Sequence, residues 1–160
     1  MVRRDRTYAL LLAALAVAAD QTTKWWALTV LRQIGGHLGL PGPLDLTFNF
    51  NESNAFGLAP VIGHATRWFL MSANLAVAGF LLFLILKRRW RPLTVYGFAL
   101  IMAGAIGNAL DRLLIGAVVD FLDATRIGFV WIFNLADATL DAGIVLVLLG
   151  ASLSDRRAEA

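Results

Sequence analysis

The sequence predicts an all-α membrane protein: four transmembrane helices with a small extracytoplasmic β-sheet platform. Three observations lead there. Of 160 residues, 59% are hydrophobic and only 16% charged, whereas a soluble domain carries about 25% charged residues. Four stretches approach the roughly 20 mostly apolar residues that a spanning helix needs. Arginine and lysine gather on one side of those stretches. A mean hydropathy of +0.70 argues against a soluble enzyme, a disordered tail and a nucleic-acid binder. The basic pI reflects a net charge of only +3, and the placement of charges explains it without a basic groove. The chain has no cysteine, which excludes a disulfide scaffold, a thiol nucleophile and a Cys-ligated metal. Two histidines, His37 and His64, are too few for most metal sites and read as loop residues. No metal and no cofactor is expected.

The spans fall at about 7–28, 68–86, 92–110 and 133–153, within a single polytopic domain covering 1–160. Between them lie outer loops 29–67 and 111–132 and an inner loop 87–91. Orientation follows from the Lys/Arg count in short loops. The N-terminus, the 87–91 loop and the C-terminal tail hold nine basic residues against three acidic ones. The rest of the chain holds five against eight. Both termini are therefore expected in the cytoplasm. The first span also reads as a cleavable signal peptide, with a basic start, an apolar run over 8–19 and small residues at 16–18. Charge counting does not separate the two readings.

Residues 44–51 alternate apolar and polar, the period of a half-buried strand. The preceding 35–43 is rich in Gly and Pro and reads as loop. Phe129-Val130-Trp131-Ile132-Phe133 is aromatic and β-branched, and supplies a second candidate strand. The alternative is that both runs only dip into the membrane interface, where aromatic residues concentrate.

Charge within a span costs several kcal/mol and marks a functional candidate. Here it is confined to the outer ends. Asp20 and Lys24 are spaced i, i+4 in the favourable order for an ion pair. Asp111 and Arg112 end the third span, where Arg112 has the length to snorkel to the headgroups. Asp120 is embedded in Val118-Val119-Asp120-Phe121-Leu122, and Asp137 follows Phe133-Asn134-Leu135-Ala136. Two carboxylates on adjoining elements at similar depth in a low dielectric can share one proton. The ionised one activates water while the protonated one polarises a peptide carbonyl. Neither a zinc-protease motif, a serine-nucleophile elbow nor a phosphate loop is present. A proton-coupled transporter subunit predicts acids through the depth of the bilayer, but the inner halves of the spans are uncharged. A non-enzymatic scaffold predicts that the aspartates tolerate replacement by asparagine.

Five ordered blocks resemble the lipoprotein signal peptidase (signal peptidase II) family. They are Asp20-Gln21-Thr22-Thr23-Lys24, Asn51-Glu52-Ser53-Asn54-Ala55-Phe56-Gly57, the run Gly104-Ala105-Ile106-Gly107-Asn108-Ala109-Leu110-Asp111-Arg112, Val118-Val119-Asp120-Phe121 and Phe133-Asn134-Leu135-Ala136-Asp137. The resemblance implies a four-span aspartic endopeptidase of the bacterial inner membrane. It would cut prolipoproteins just before the diacylglyceryl cysteine. Its partners would be those substrates and membrane lipid, with no nucleic acid and a monomer expected. The resemblance makes Asp120 and Asp137 the catalytic pair. Asn108, Arg112 and Asn134 would support the pair and bind substrate, Asp20, Lys24 and Asn51 would shape the site, and Asp111 would hold its helix end. It also implies that the first span is retained. Two departures stand out: Ser53 replaces the family's glycine, and Asp141 occupies a usually uncharged position. Asp141 lies one turn after Asp137 and is expected to pair with Lys24 or Arg112. The signal helix of the substrate is expected beside the small residues Ala103, Gly104, Ala105 and Gly107, and a lid is expected over 57–63.

Overall fold

In the computed structural model, which describes residues 2–52 and 65–155, the first long element is helix α1 (Val2–Trp26). It continues as a π-helical turn at Ala27–Leu31, in which the Arg32 N–H reaches back five residues to the Ala27 carbonyl at 2.9 Å. The wider turn carries Ala27 and Leu31 onto Val119 and Phe121 of the sheet, in a small second core. Three further helices follow: α2 (Ala65–Lys87), α3 (Pro92–Leu114) and α4 (Leu135–Asp155). Pro92 opens α3 at its first turn, where its missing N–H costs nothing.

Among the described residues, three helices are long and apolar enough to cross a membrane: Ala65–Lys87, Pro92–Leu114 and Leu135–Leu153. Helix α1 has the length but not the apolarity, because Arg4-Asp5-Arg6 and the Asp20–Lys24 block dilute it. The chain is thus a multi-pass helical membrane protein with three such helices, where the sequence predicts four. The middle helix, α3, is the central one. It packs against α1, α2 and α4, and most of it is buried, whereas α2 and α4 turn Phe69, Phe80, Phe83, Val145 and Leu148 outward.

The small residues of α3 have a different use from the one expected. Ala103, Gly104, Ala105 and Gly107 are buried between helices and leave no open stripe for a substrate helix. A Cβ on Gly104 would run into the Ala136 carbonyl, and one on Gly97 would lie 2.8 Å from the Gly143 carbonyl. Gly143 in turn would meet the Gly97 carbonyl at 2.6 Å. In lipid, where no hydrophobic force pulls helices together, such close backbone approach is the main source of contact energy. It locks α4 against α3, so the N-terminus of α4 has one height.

Four antiparallel strands line up in the order β1-β2-β3-β4: His37–Leu38, Asp45–Asn51, Val118–Asp123 and Ile132–Phe133. The alternating segment at 44–51 is β2. The aromatic segment contributes only Ile132 and Phe133, while Phe129, Val130 and Trp131 are exposed and outside the ladder. His37 is a strand residue bonded to Thr47 at 3.0 Å, contrary to the loop expectation, and His64 lies outside the described residues. The 57–63 segment, Ser53 and most of the second block lie outside them too.

Between Leu46 and Asn49 the register slips by one residue, so Leu46 faces Leu122 but Asn49 faces Asp120. This bulge decides the chemistry of the face. Unbroken pairing would set Phe48 opposite Asp120. The extra residue instead puts Asn49 and Asn51 on the Asp120 face. At the far end Asp123 accepts the Thr47 hydroxyl at 2.6 Å and the Thr125 hydroxyl and N–H at 2.6 and 2.9 Å. Hydrogen bonds from Thr125 and Thr47 hold its carboxyl down at about 2.

Candidate active site

Helix α4 begins with a reciprocal cap. The Asn134 Oδ1 accepts the Asp137 N–H at 3.0 Å, and Asp137 Oδ2 accepts the Asn134 N–H at 3.3 Å. This is a capping box, and it explains locally why the chain turns into a helix at Leu135. It also sets the Asp137 carboxylate at the positive end of the helix. The free end of the Asn134 amide donates to Asp120 Oδ1 at 2.7 Å. One buried asparagine therefore touches both aspartates, one through a helix cap and the other through strand β3. Asn51, the last residue of β2, donates to the other Asp120 oxygen at 2.9 Å.

Below this pair lies an ion cluster. Lys24 Nζ contacts Asp20 Oδ2 at 2.9 Å, Asp111 Oδ2 at 3.0 Å and Asn108 Oδ1 at 3.0 Å, with all three ionic side chains at most 2% exposed. Lysine only donates, so Lys24 fixes which way the Asn108 amide lies. Its nitrogen then points to Asp137 Oδ1 at 2.8 Å. Asp20 Oδ1 accepts the Ala136 N–H at 2.8 Å, and Asp111 Oδ2 accepts the Val119 N–H at 3.0 Å. The Asp111 carbonyl also takes the Ile115 and Gly116 N–H groups, which closes the end of α3. Gly107 permits the approach of α1, because a Cβ there would sit 2.5 Å from Asp20 Oδ2.

Arg112 does not snorkel. It is buried, and its Nη1 donates to the Asn108 carbonyl at 3.2 Å. Asp120 is 1% exposed, and this burial pushes its carboxyl up to about 6. The neighbouring Asp137 charge raises it further, while the Asn51 and Asn134 hydrogen bonds and Lys24 oppose the rise. A carboxyl poised there is suited to hold and release a proton near neutrality.

All nine residues singled out in the sequence, Asp20, Lys24, Asn51, Asn108, Asp111, Arg112, Asp120, Asn134 and Asp137, thus join one hydrogen-bonded network. Asp141 does not. It is exposed, and the three ion pairs among the described residues leave it out, because Lys24 is already taken by Asp20 and Asp111. The sequence reading missed Gln21, whose neighbour Asp20 was the only signal, and it missed the capping box, which Asn134 and Asp137 spell at the right spacing. Among the described residues no three His, Cys, Asp or Glu side chains converge to hold a metal ion. The space between Asp20 and Asp111 is filled by the Lys24 ammonium.

Comparison with known proteins gives one consistent result. The family model for signal peptidase II matches residues 12–153. The chain is 40% identical to the lipoprotein signal peptidase of Caulobacter vibrioides over 156 residues, covering 96% of this chain and 92% of that one. It is 41% identical to the lipoprotein signal peptidase of an Azoarcus species over 141 residues, covering 87% and 79%. A bacterial membrane enzyme solved by the in meso method matches the fold with a TM-score of 0.81 at 29% identity, covering 96% of this chain and 92% of the other.

Proposed function

The chain belongs to the signal peptidase II family of proteases and removes signal peptides from prolipoproteins, and we propose that Asp120 and Asp137 are the catalytic pair that does so. The observation that carries this reading is Asn134, whose single side chain bonds both aspartates. Asp120, raised to about 6, holds the shared proton and gives it to the scissile carbonyl oxygen. Asp137 takes a proton from water, which attacks the carbonyl carbon. The tetrahedral intermediate collapses when Asp137 passes that proton to the amide nitrogen, the C–N bond breaks, and a hydroxyl of the intermediate returns its proton to Asp120 as the carbonyl re-forms. Asn108, Asn134 and Asn51 aim the two carboxylates, and Arg112 binds the substrate backbone.

The finer arrangement belongs to the same proposal. Helix α1 is the fourth span: 25 residues measure about 37 Å, enough to cross a core of roughly 30 Å. Both termini are cytoplasmic, the whole chain is one membrane domain, and the site lies near the outer face. The substrate carries diacylglycerol on the cysteine after the cut. Its acyl chains stay in the bilayer, which holds the scissile bond at headgroup depth and leaves little to search. The enzyme acts as a monomer.

The test uses purified protein with a diacylated prolipoprotein and its unlipidated counterpart. Wild type should cut only the first. Asp120→Asn and Asp137→Asn should each insert normally and leave it uncut. Full activity in either variant rejects the pair.

A further inference from the structure

Gln21 follows Asp20 on α1, and its Nε2 turns into the buried ion cluster. It lies 3.0 Å from Asp111 Oδ1, 3.1 Å from Asp20 Oδ2 and 3.3 Å from the Gly107 carbonyl. The other oxygen of each carboxylate is already engaged. Asp20 Oδ1 holds the Ala136 N–H, and Asp111 Oδ2 holds Lys24 and the Val119 N–H. Among the described residues, Asp111 Oδ1 has Gln21 as its one donor. Ala136 immediately precedes Asp137, and Val119 immediately precedes Asp120. Each carboxylate of the cluster therefore grips the backbone one residue ahead of one aspartate of the pair.

We propose that Gln21 is a positioning residue for the reaction: by tying Asp111 to Asp20 it fixes how β3 and α4 sit relative to each other. Lys24 alone cannot do this. Lys24 and the Val119 N–H both meet Asp111 at Oδ2, which leaves that carboxylate able to turn about the one oxygen. The amide on Asp111 Oδ1 fixes the plane of the carboxylate, and with it the direction of the lone pair that meets Val119. Its bond to Gly107 anchors the same amide to the α3 backbone. The proposal rests on Asp120 and Asp137 being the catalytic pair.

Two substitutions test it on the purified full chain with a diacylated prolipoprotein. Gln21→Met fills the same space without a donor. It should lower kcat about tenfold or more with KM within about twofold, as expected when reacting groups are misplaced rather than unbound. Gln21→Glu faces Asp20 and Lys24 on α1 and Asp111 and Arg112 on α3, with Asp120 on β3 and Asp137 on α4 beyond them. Its side chain donates only when protonated. Its kcat relative to wild type at the same pH should therefore match Gln21→Met in alkali and recover on acidification. Wild-type kcat in Gln21→Met, or a Gln21→Glu ratio that stays flat with pH, overturns the proposal. So does a lower unfolding temperature with unchanged kcat per folded molecule. Should Gln21→Met not fold, the Gln21→Glu ratio decides. Asp120→Asn and Asp137→Asn run alongside: their activity would overturn the pair itself, whereas their inactivity beside a fully active Gln21→Met overturns only the role of Gln21.

Discussion

Asn134 and Asp137 cap each other: the side-chain oxygen of each accepts the backbone N–H of the other, at 3.0 and 3.3 Å. The residue placed in the catalytic pair is thus also the third residue of a helix cap. Its backbone cannot drift without uncapping α4, and its side chain is held at both oxygens, by Asn108 and by the Asn134 backbone.

Asn134 therefore has two separable duties. Asn134→Ala removes the cap, at a cost of about 0.5–2 kcal/mol, and also strips the amide from Asp120. Asn134→Asp keeps an oxygen for the Asp137 N–H but replaces the amide facing Asp120 with a third carboxylate. We expect the alanine variant to lose both stability and activity, and the aspartate variant to keep the better stability of the two while remaining inactive. Unfolding in detergent and a cleavage assay separate them. An active Asn134→Asp would show that the amide on Asp120 is dispensable.

The Asp120 carboxyl stands at about 6, above its ordinary 3.8, so folding favours the protonated form. Its contribution to stability is complete below 3.8 and is lost as the pH rises through about 6. Because kcat/KM reports the free enzyme, it should fall on the alkaline side around the same pH. Asn51→Ala deletes a hydrogen bond that favours the ionised form. The alkaline limb should then move to higher pH. A pH profile of the two proteins measures this, and a limb that stays put or moves down counts against Asp120 as the proton holder.

Lys24→Met leaves Asp20 and Asp111 buried side by side with no cation between them. Removing one partner of a buried ion pair costs about 3–5 kcal/mol. Arg126→Met is the contrast. Arg126 is 48% exposed in its pair with Asp45, and such surface pairs contribute about 0–1 kcal/mol. Thermal unfolding should rank the two clearly, with Lys24→Met far below Arg126→Met.

Gly104→Ala should push α4 away from α3, since its Cβ collides with the Ala136 carbonyl. Overpacking of this kind costs about 1–3 kcal/mol, and the displaced Ala136 carries Asp137 with it, so activity should fall too. Gly79 has nothing within 4 Å of its Cβ position. There a mid-helix alanine should stabilise by about 0.5–1 kcal/mol. Equal effects at the two sites would contradict the packing described.

The helices and the charged span ends were legible because a bilayer demands long apolar runs and makes each buried charge conspicuous. Strand β3 was not. Val118–Asp123 is a central strand buried on both faces, and such strands lack alternation. Phe129, Val130 and Trp131 have strand-like chemistry but stay exposed outside the ladder, since composition does not specify pairing partners. The small residues of α3 announced close contact without naming the contact: only the fold shows that α4 fills that face. Asp141 followed Asp137 by one helical turn, yet Lys24 had nearer carboxylates on α1 and α3. The bulge between Leu46 and Asn49 left no trace in a perfectly alternating segment.

The bond from Asp20 to the Ala136 N–H spans 116 positions of the chain. During synthesis α1 is made first and α4 last. Until α4 arrives, Asp20 lacks its Ala136 partner, Asn108 lacks Asp137, and Asp120 lacks Asn134. A nascent or truncated chain ending at α3 therefore holds a lysine–carboxylate cluster but no aspartate pair. On the proposed assignment of Asp120 and Asp137, hydrolysis therefore waits until α4 is in place.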